Sequence, residues 1–167
     1  MKLILFRHGL AMDREVSAVK KLDDSLRPLT KKGVEKTLKM SHHLHELLLG
    51  DVQVLVSSPL IRAQQTAEII AGVVKCERYL ESTELVPSAP PQAFANWLKS
   101  HAPNSTSVIA VGHEPQLSVF ASWILSGLTD SFFDLKKSGV IILNLESFDQ
   151  VGPRSAQLQL TLSPKSI

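Results

Sequence analysis

Short apolar runs alternate along the chain with stretches in which apolar residues recur at helical spacing. The runs at residues 2–7, 52–57 and 107–111 are nearly continuous in apolar residues, which is typical of strands buried in a parallel sheet. Residues 30–49 follow a helical period that ends before Gly50. The apolar positions of this predicted helix are Val34, Leu38, Leu44, Leu47 and Leu48. Such alternation indicates an α/β layer fold.

A second helix is predicted directly after the second strand. Ser58 is expected to be its N-cap and Pro59 its first residue, and the helix is expected to run to about Ala71 before Gly72. The stretch that follows is irregular in pattern. It predicts one short strand near Glu77–Leu80.

Two more helices are predicted in the second half of the chain. Pro90 and Pro91 introduce the first of them. The other is expected to run from Pro115 to about Ser126 and to end at Gly127.

The pattern of apolar and polar positions changes in the C-terminal part of the chain. Residues 139–145 are largely apolar, whereas residues 156–162 alternate polar and apolar positions, as in a half-exposed strand. We predict that they form an antiparallel hairpin at the end of the sheet. The expected architecture is a three-layer α/β sandwich, in which helices flank a mostly parallel central sheet, and residues 1–167 form one domain.

Composition and charge exclude several classes of protein. The formal net charge of +2 is small, and no run of five or more Lys or Arg predicts binding to nucleic acid. A single cysteine, Cys76, excludes an intrachain disulfide framework and favours a reducing compartment. No apolar stretch is long enough to predict a membrane span or a signal peptide. We therefore expect a soluble cytoplasmic protein that binds neither membranes nor nucleic acid.

The candidate functional residues lie at or shortly after the ends of three predicted strands. Arg7 and His8 come at the end of the first strand, Arg62 lies shortly after the second, and His113 follows the third. Ligands of open α/β sheets bind outside the carboxyl ends of the strands. If these strands are parallel neighbours, the four side chains converge on one crevice.

The four residues share one chemical theme. Guanidinium groups donate paired hydrogen bonds that match phosphate oxygens, and Arg62 lies in the first turn of a predicted helix, which also favours an anion. The two imidazoles can act as nucleophile, base or proton donor near neutral pH. Gly9 is expected to leave room for an oxyanion beside the backbone after His8. Together these features predict a site for a phosphoryl group.

Other candidate sites are weaker. His42 and His45 have helical spacing, but no carboxylate pattern completes a metal site, so we expect a solvated or partly buried face. Ser57 and Ser58 lack the Gly-x-Ser-x-Gly elbow of serine hydrolases, and the chain has no Gly-x-x-x-x-Gly-Lys phosphate loop. Cys76 is expected to be a packing residue.

The motifs at these positions resemble a known family. They are Arg7-His8-Gly9, the run Ser-Ser-Pro-Leu-Ile-Arg-Ala-Gln-Gln-Thr-Ala at residues 57–67, and Gly112-His113. Together they are similar to motifs of the histidine phosphatase superfamily, which includes the phosphoglycerate mutases. The small size of the chain and its residues 26–33 are more similar to the SixA branch of phosphohistidine phosphatases.

The resemblance implies roles for the converging residues. His8 would attack phosphorus and form a phosphohistidine intermediate that water then hydrolyses. Arg7, Arg62 and His113 would bind the phosphoryl oxygens and stabilise the transition state, as expected where positioning and electrostatics dominate catalysis. The resemblance implies no metal and no other cofactor.

Two further residues have open roles. Many members of the family carry a carboxylic acid that protonates the leaving oxygen, and Glu84 occupies a loosely corresponding place, where a catalytic and a structural role are equally favoured. Arg27 is either a residue at the rim of the site that meets an anionic substrate or the partner of a structural ion pair with Asp23 or Asp24.

The stretch between Arg62 and His113 is short and must supply two helices, so little chain remains to cover the site. An open pocket suits a phosphorylated side chain on a protein surface, such as the phosphohistidine of a histidine phosphotransfer domain. The alternatives are a phosphatase of small phosphate esters and a non-catalytic module that binds phosphate. A mutase is least favoured because it needs an enclosed site.

Overall fold

The computed structural model describes residues 1–48 and 50–167. Six strands form one sheet in the order β3-β2-β4-β1-β5-β6. The strands are β1 Lys2–Arg7, β2 Val52–Ser57, β3 Cys76–Glu81, β4 Ser107–Gly112, β5 Val140–Leu145 and β6 Ala156–Leu162. The α-helices are α1 Arg14–Val19, α2 Lys31–Leu48, α3 Ile61–Ala71, α4 Pro91–His101 and α5 Gln116–Ser126, and single 3₁₀ turns cover Asp24–Leu26 and Thr83–Leu85.

The sheet confirms the predicted mixture of parallel and antiparallel strands. Strands β3, β2, β4 and β1 are parallel neighbours, whereas β5 and β6 are antiparallel. Arg7 pairs with Gly112, and Ser57 pairs with Val111. The carboxyl ends of β1, β2 and β4 therefore meet at one edge, which is the arrangement that the strand-end residues require.

Two helical layers cover the two faces of the sheet. On β1, Ile4 and Phe6 belong to the core on the side of α2 and α3, whereas Leu3 and Leu5 belong to the core on the side of α4 and α5. All four side chains are fully buried. Burial on both faces explains why this strand is a continuous apolar run rather than an alternating one.

The predicted helix boundaries are correct to within a few residues, with one informative exception. The helix after β2 begins at Ile61, so the expectation that Ser58 caps it and Pro59 opens it was wrong. The Ser58 hydroxyl hydrogen-bonds to His113 instead. The helix predicted over residues 30–49 runs from Lys31 to Leu48, and Leu49 lies outside the described residues.

The segment between β1 and α2 carries structure that the sequence pattern did not predict. It contains α1 and the 3₁₀ turn Asp24–Leu26, and it folds back on itself through a bridge between Ala11 and Leu29. The backbone N–H of Met12 donates to Pro28, at 2.8 Å. This segment brings its own charged side chains to the carboxyl edge of the sheet.

None of the helices in the described part of the chain is both long and apolar enough to cross a membrane.

Candidate active site

One cleft at the carboxyl edge of the sheet contains all four residues selected from the sequence. Arg7 is the last residue of β1, His8 follows it, Arg62 lies in the first turn of α3, and His113 follows β4. The cavity measures about 230 Å³. The residues that line it are Arg7, His8, Asp13, Arg14, Arg27, Arg62, Pro87, His113, Glu114 and Lys137.

His8 is held in one ring orientation and one tautomer. Its Nδ1 lies 2.7 Å from the carbonyl oxygen of Gly9. A carbonyl can only accept, so Nδ1 carries the proton and Nε2 keeps its lone pair. Burial, reinforced by the charges of Arg62, Arg7 and Lys137 against a smaller opposing effect of the Gly9 hydrogen bond, lowers the pKa of His8 to about 3. The imidazole is therefore neutral and nucleophilic at physiological pH.

His113 lies beside His8 and is also neutral. The two ring centroids are 4.8 Å apart, and His113 is only 1% exposed. Burial lowers the pKa of His113 to about 2, and the neighbouring His8 ring and the positive charges of Arg62 and Arg7 act in the same direction. Its Nε2 lies 2.8 Å from the Ser58 hydroxyl, which positions the ring.

Each of the two arginines is fixed by acceptors of the protein. Arg7 Nη1 donates to the carbonyl of Leu135 at 2.6 Å. Arg62 donates from Nη1 to the carbonyl of Asp24 at 2.8 Å and from Nη2 to the Asp24 carboxylate at 3.2 Å. Arg62 is 2% exposed, so its charge is held in a buried position. Both guanidiniums are thus oriented before any ligand binds.

Unpaired donors of the protein concentrate in this cleft. In the part of the chain that the structure describes, four fully buried side-chain N or O atoms lack a hydrogen-bond partner. Three of these are nitrogens of cleft residues, namely Arg7 Nε, Arg62 Nε and His113 Nδ1. Buried polar groups are nearly always paired, and a tetrahedral anion offers several acceptor oxygens at once. The site is therefore built to receive an anion such as a phosphoryl group.

Arg27 forms the ion pair with Asp24 that its sequence position allowed, and it also lies at the cleft. It lines the cleft, and its Nε also donates to Asp24 Oδ1 at 2.9 Å. Asp24 in addition forms ion pairs with Arg14 and Arg62. Burial opposes the ionisation of Asp24, but the Arg27 hydrogen bond and the three guanidinium charges outweigh it and hold the pKa of this carboxyl below its usual range. Asp24 is thus the anion that organises three of the arginines.

Of the two glutamates near the site, Glu114 lines the cleft, as Asp13 also does, whereas Glu84 does not. Glu84 is half-buried in the 3₁₀ turn Thr83–Leu85 and is not among the lining residues. Glu114 accepts hydrogen bonds from both the backbone N–H and the hydroxyl of Ser118. Burial raises the pKa of Glu114, and its hydrogen bonds with Ser118 and the charge of Arg7 oppose that rise. The sequence did offer a signal, since Glu114 directly follows His113.

The space beside Gly9 is used for packing and not for an oxyanion, which corrects the expectation from the sequence. A Cβ at Gly9 would lie 2.5 Å from Thr37 Oγ1 and 3.1 Å from the carbonyl oxygen of Gly33, both on α2. The Gly9 N–H donates to Thr66 Oγ1 at 3.0 Å, and that hydroxyl donates to the Arg62 carbonyl at 2.7 Å. Thr66 therefore ties the His8 loop to the first turn of α3.

The remaining candidates lie away from the cleft. His42 and His45 are exposed on α2, and His43 is half-buried beside Glu46. Within residues 1–48 and 50–167, no group of three or more His, Cys, Asp or Glu is placed to hold a metal ion. Cys76 packs against the core on the α2 and α3 side, and burial raises the pKa of its thiol to about 11.

Comparison with known proteins accounts for this geometry. The model of the histidine phosphatase superfamily (branch 1) matches residues 3–85, which contain Arg7, His8 and Arg62. The chain belongs to the histidine phosphatase superfamily. An uncharacterized protein of Picosynechococcus sp. is 36% identical over 166 residues, covering 99% of this chain and 98% of that protein.

Within this superfamily the similarity extends to SixA. The phosphohistidine phosphatase SixA of Escherichia coli is 28% identical over 138 residues, covering 80% of each chain. The structure of the protein histidine phosphatase SixA complexed with tungstate has the same fold, with a TM-score of 0.80 and 24% identity. The match covers 99% of this chain and 98% of that one. Membership of the histidine phosphatase superfamily supports phosphatase activity for this protein.

Proposed function

We propose that this protein hydrolyses phosphohistidine on other proteins through a phosphohistidine intermediate on His8. The observation that carries the proposal is the hydrogen bond from His8 Nδ1 to the Gly9 carbonyl. It leaves Nε2 as the free nucleophile in a cleft where Arg7, Arg62 and His113 present unpaired donors.

In the first step, His8 Nε2 attacks phosphorus in line with the bond to the substrate nitrogen. The new N–P bond forms on His8 while the substrate N–P bond breaks, and its electron pair goes to the departing ring nitrogen. Arg7, Arg62 and His113 bind the non-bridging oxygens. The two guanidiniums neutralise their charge, and the neutral His113 ring contributes a hydrogen bond. Because these donors are already oriented by Leu135, Asp24 and Ser58, little reorganisation is needed.

The leaving group explains how the reaction proceeds without a dedicated acid. A phosphohistidine ring that is protonated on its other nitrogen departs as neutral imidazole. An alkoxide would instead need a proton from the enzyme as the bond breaks. The same reasoning applies to the intermediate, because Nδ1–H makes the phosphorylated His8 ring cationic and the Gly9 carbonyl stabilises that charge.

In the second step, a water molecule attacks phosphorus on the face opposite His8. The His8 Nε2–P bond breaks, its electron pair returns to Nε2, the water loses a proton to solvent, and inorganic phosphate leaves. The residues that stabilised the first transition state serve the second one as well, since both place charge on the same oxygens.

Two observations support phosphohistidine on a protein as the substrate. The E. coli relative that is 28% identical is named as a phosphohistidine phosphatase. The chain between Arg62 and His113 is occupied by β3, a 3₁₀ turn, α4 and β4, which leaves little of it to form a lid over the cleft. A site without a lid suits a phosphorylated side chain presented by a large partner.

The test compares a histidine phosphotransfer domain phosphorylated on histidine with a panel of sugar and nucleoside phosphates. We expect the phosphorylated domain to have the higher kcat/KM and quenched reactions to contain an acid-labile phosphoenzyme. H8A should lose both turnover and phosphoenzyme by at least about 10⁴-fold, as for other nucleophiles. H42A is the matched control because His42 is exposed on α2.

Two other outcomes would replace the proposal. Faster turnover of a small ester than of the phosphorylated domain would indicate an ester phosphatase. Tight binding of tungstate or phosphate without turnover or phosphoenzyme would indicate a binding module.

A further inference from the structure

A second cavity adjoins the cleft and is strongly basic. Its volume is about 490 Å³, roughly twice that of the cleft. We call it the basic groove, and its lining residues are Arg7, Leu10, Lys36, Lys136, Lys137, Ser163, Pro164 and Lys165. Arg7 and Lys137 line both cavities, so the groove is contiguous with the place where the chemistry occurs.

The charge of the groove is unbalanced. Five of its eight lining residues are cationic and none is acidic. In the part of the chain that the structure describes, Lys136 pairs with Asp134, whereas Lys36, Lys137 and Lys165 form no ion pair. Partial loss of hydration, together with the charge of Arg7, lowers the pKa of Lys137, and the charge of Asp13 opposes that shift. A concentration of unpaired like charge does not stabilise the fold and therefore points to an anionic partner.

The fold assembles this groove from distant parts of the chain. Lys36 lies on α2, Lys136 and Lys137 precede β5, and Lys165 follows β6. Arg7, which completes the set, ends the central strand β1. Four separate segments thus contribute cations to one cavity beside the reacting residues.

The lining indicates what kind of anion would bind. Leu10 and Pro164 place apolar surface among the cations. The side chains of Lys137 and Lys165 are exposed to solvent. A single phosphate ion is best held by oriented, buried donors, as in the cleft. Spread cations interleaved with apolar surface instead match a protein surface that mixes carboxylates with apolar side chains.

We propose that the basic groove binds acidic side chains on the protein that carries the phosphohistidine, next to the phosphorylated residue. This inference rests on the proposed function of the cleft. It assigns substrate choice to the groove and phosphoryl chemistry to the cleft.

The experiment reverses charge in the groove without changing the cleft. The double variant K36E/K165E alters two cations that line the groove but not the cleft. The control K20E/K99E makes the same change in net charge at exposed lysines that line neither cavity. Each protein is assayed on a histidine phosphotransfer domain phosphorylated on histidine and on phosphoramidate, a small molecule with the same P–N bond.

We expect K36E/K165E to lower kcat/KM for the phosphorylated domain about tenfold, mainly through KM and association. Its turnover of phosphoramidate should match that of K20E/K99E. Equal losses on both substrates, an equal loss in the control, or no loss at all would overturn the role of the groove while leaving the proposed function intact. If the wild-type protein does not dephosphorylate the domain, the proposed function itself fails, and the inference about the groove fails with it.

Discussion

The cleft and the basic groove share Arg7 and Lys137 but hold their charges in opposite ways. In the cleft, Arg62 is 2% exposed and is bonded to the carbonyl and the carboxylate of Asp24. In the groove, Lys165 is exposed and forms no ion pair in the described part of the chain.

This contrast separates two uses of positive charge. A buried guanidinium loses hydration and must be bonded on several sides, but it then acts at full strength on a ligand in a region of low dielectric. An exposed lysine keeps its hydration and mobility, so it attracts a partner from a distance and contributes little to orientation. The cleft is therefore suited to transition-state stabilisation and the groove to recognition.

After loss of the nucleophile His8, the largest effect should follow loss of the buried guanidinium. We expect R62A to lower kcat about 10³-fold, since arginines that neutralise a transferring phosphoryl group are worth that much. R62K should recover only part of this because an ammonium cannot donate the paired hydrogen bonds to Asp24. The measurement is single-turnover decay of the phosphorylated domain.

R154A is the control, because Arg154 is exposed, donates to the carbonyl of Ser126 and does not line the cleft. A loss below tenfold in R62A, with the fold intact by circular dichroism, would mean that the buried cation is structural.

The neutral, buried histidines make stability depend on pH. Burial lowers the pKa of His8 to about 3 and that of His113 to about 2, whereas in the unfolded chain each has a pKa of about 6.5. Below pH 6.5 the unfolded state therefore binds protons that the folded state does not. Each histidine then lowers the free energy of unfolding by about 1.4 kcal/mol per pH unit, down to its folded pKa.

Urea unfolding between pH 4.5 and 7.5 measures this slope. We expect H8Q to reduce the slope below pH 6 by close to one bound proton, about 1.4 kcal/mol per pH unit, and to leave the pH dependence above pH 7 unchanged. H42Q is the control because His42 is exposed on α2 and does not line the cleft. An unchanged slope in H8Q would show that His8 is protonated in the folded protein.

Orientation of His113 should matter less than the charge of Arg62. The Ser58 hydroxyl lies 2.8 Å from His113 Nε2, and we expect S58A to lower kcat about tenfold, as for other partners that orient a functional imidazole. S57A is a matched control, since Ser57 is equally buried and bonds to Tyr79 instead. Equal losses in S57A and S58A would contradict a positioning role, and S58T should restore part of the activity.

The layers of this fold could be predicted from the sequence because they depend on local signals. Continuous apolar runs and helical periods are set by which faces are buried, and the strands at Lys2–Arg7 and Val52–Ser57 follow the pattern closely. The four converging residues could be selected because each stands at or directly after the end of a strand, or in the first turn of a helix. Functional residues at strand ends can therefore be selected from a sequence wherever the strands themselves can be predicted.

The contacts that hold these residues could not be predicted because they join distant parts of the chain. Asp24 lies in a short 3₁₀ turn without apolar periodicity, yet it binds Arg62 on another element. Ser58 has the pattern of an N-cap, but the hydrogen bond to His113 competes for its hydroxyl. Gly9 is expected from the sequence to leave room for an oxyanion, but it is packed against α2. In each case tertiary contact overrides a local preference.

Neither candidate carboxyl group should behave as a dedicated general acid toward phosphohistidine. Such acids are worth about 10²- to 10⁴-fold, and we expect both E84Q and E114Q to lose less than tenfold on the phosphorylated domain. E114Q should have the larger effect because Glu114 lines the cleft and acts on Arg7. A hundredfold loss in E84Q would restore Glu84 as the proton donor and require this turn to move toward the cleft.

The smallest predicted effect separates the two cavities by their response to salt. Exposed charges are screened within about 8 Å at physiological ionic strength, whereas buried pairs are screened much less. Raising the salt concentration should therefore lower kcat/KM for the phosphorylated domain a few-fold while changing kcat little. The K36E/K165E variant should show a flatter salt dependence than K20E/K99E, because the attraction that salt weakens has already been removed. A steep fall of kcat with salt would instead place the screened charges in the cleft, and the division between chemistry and recognition would not hold.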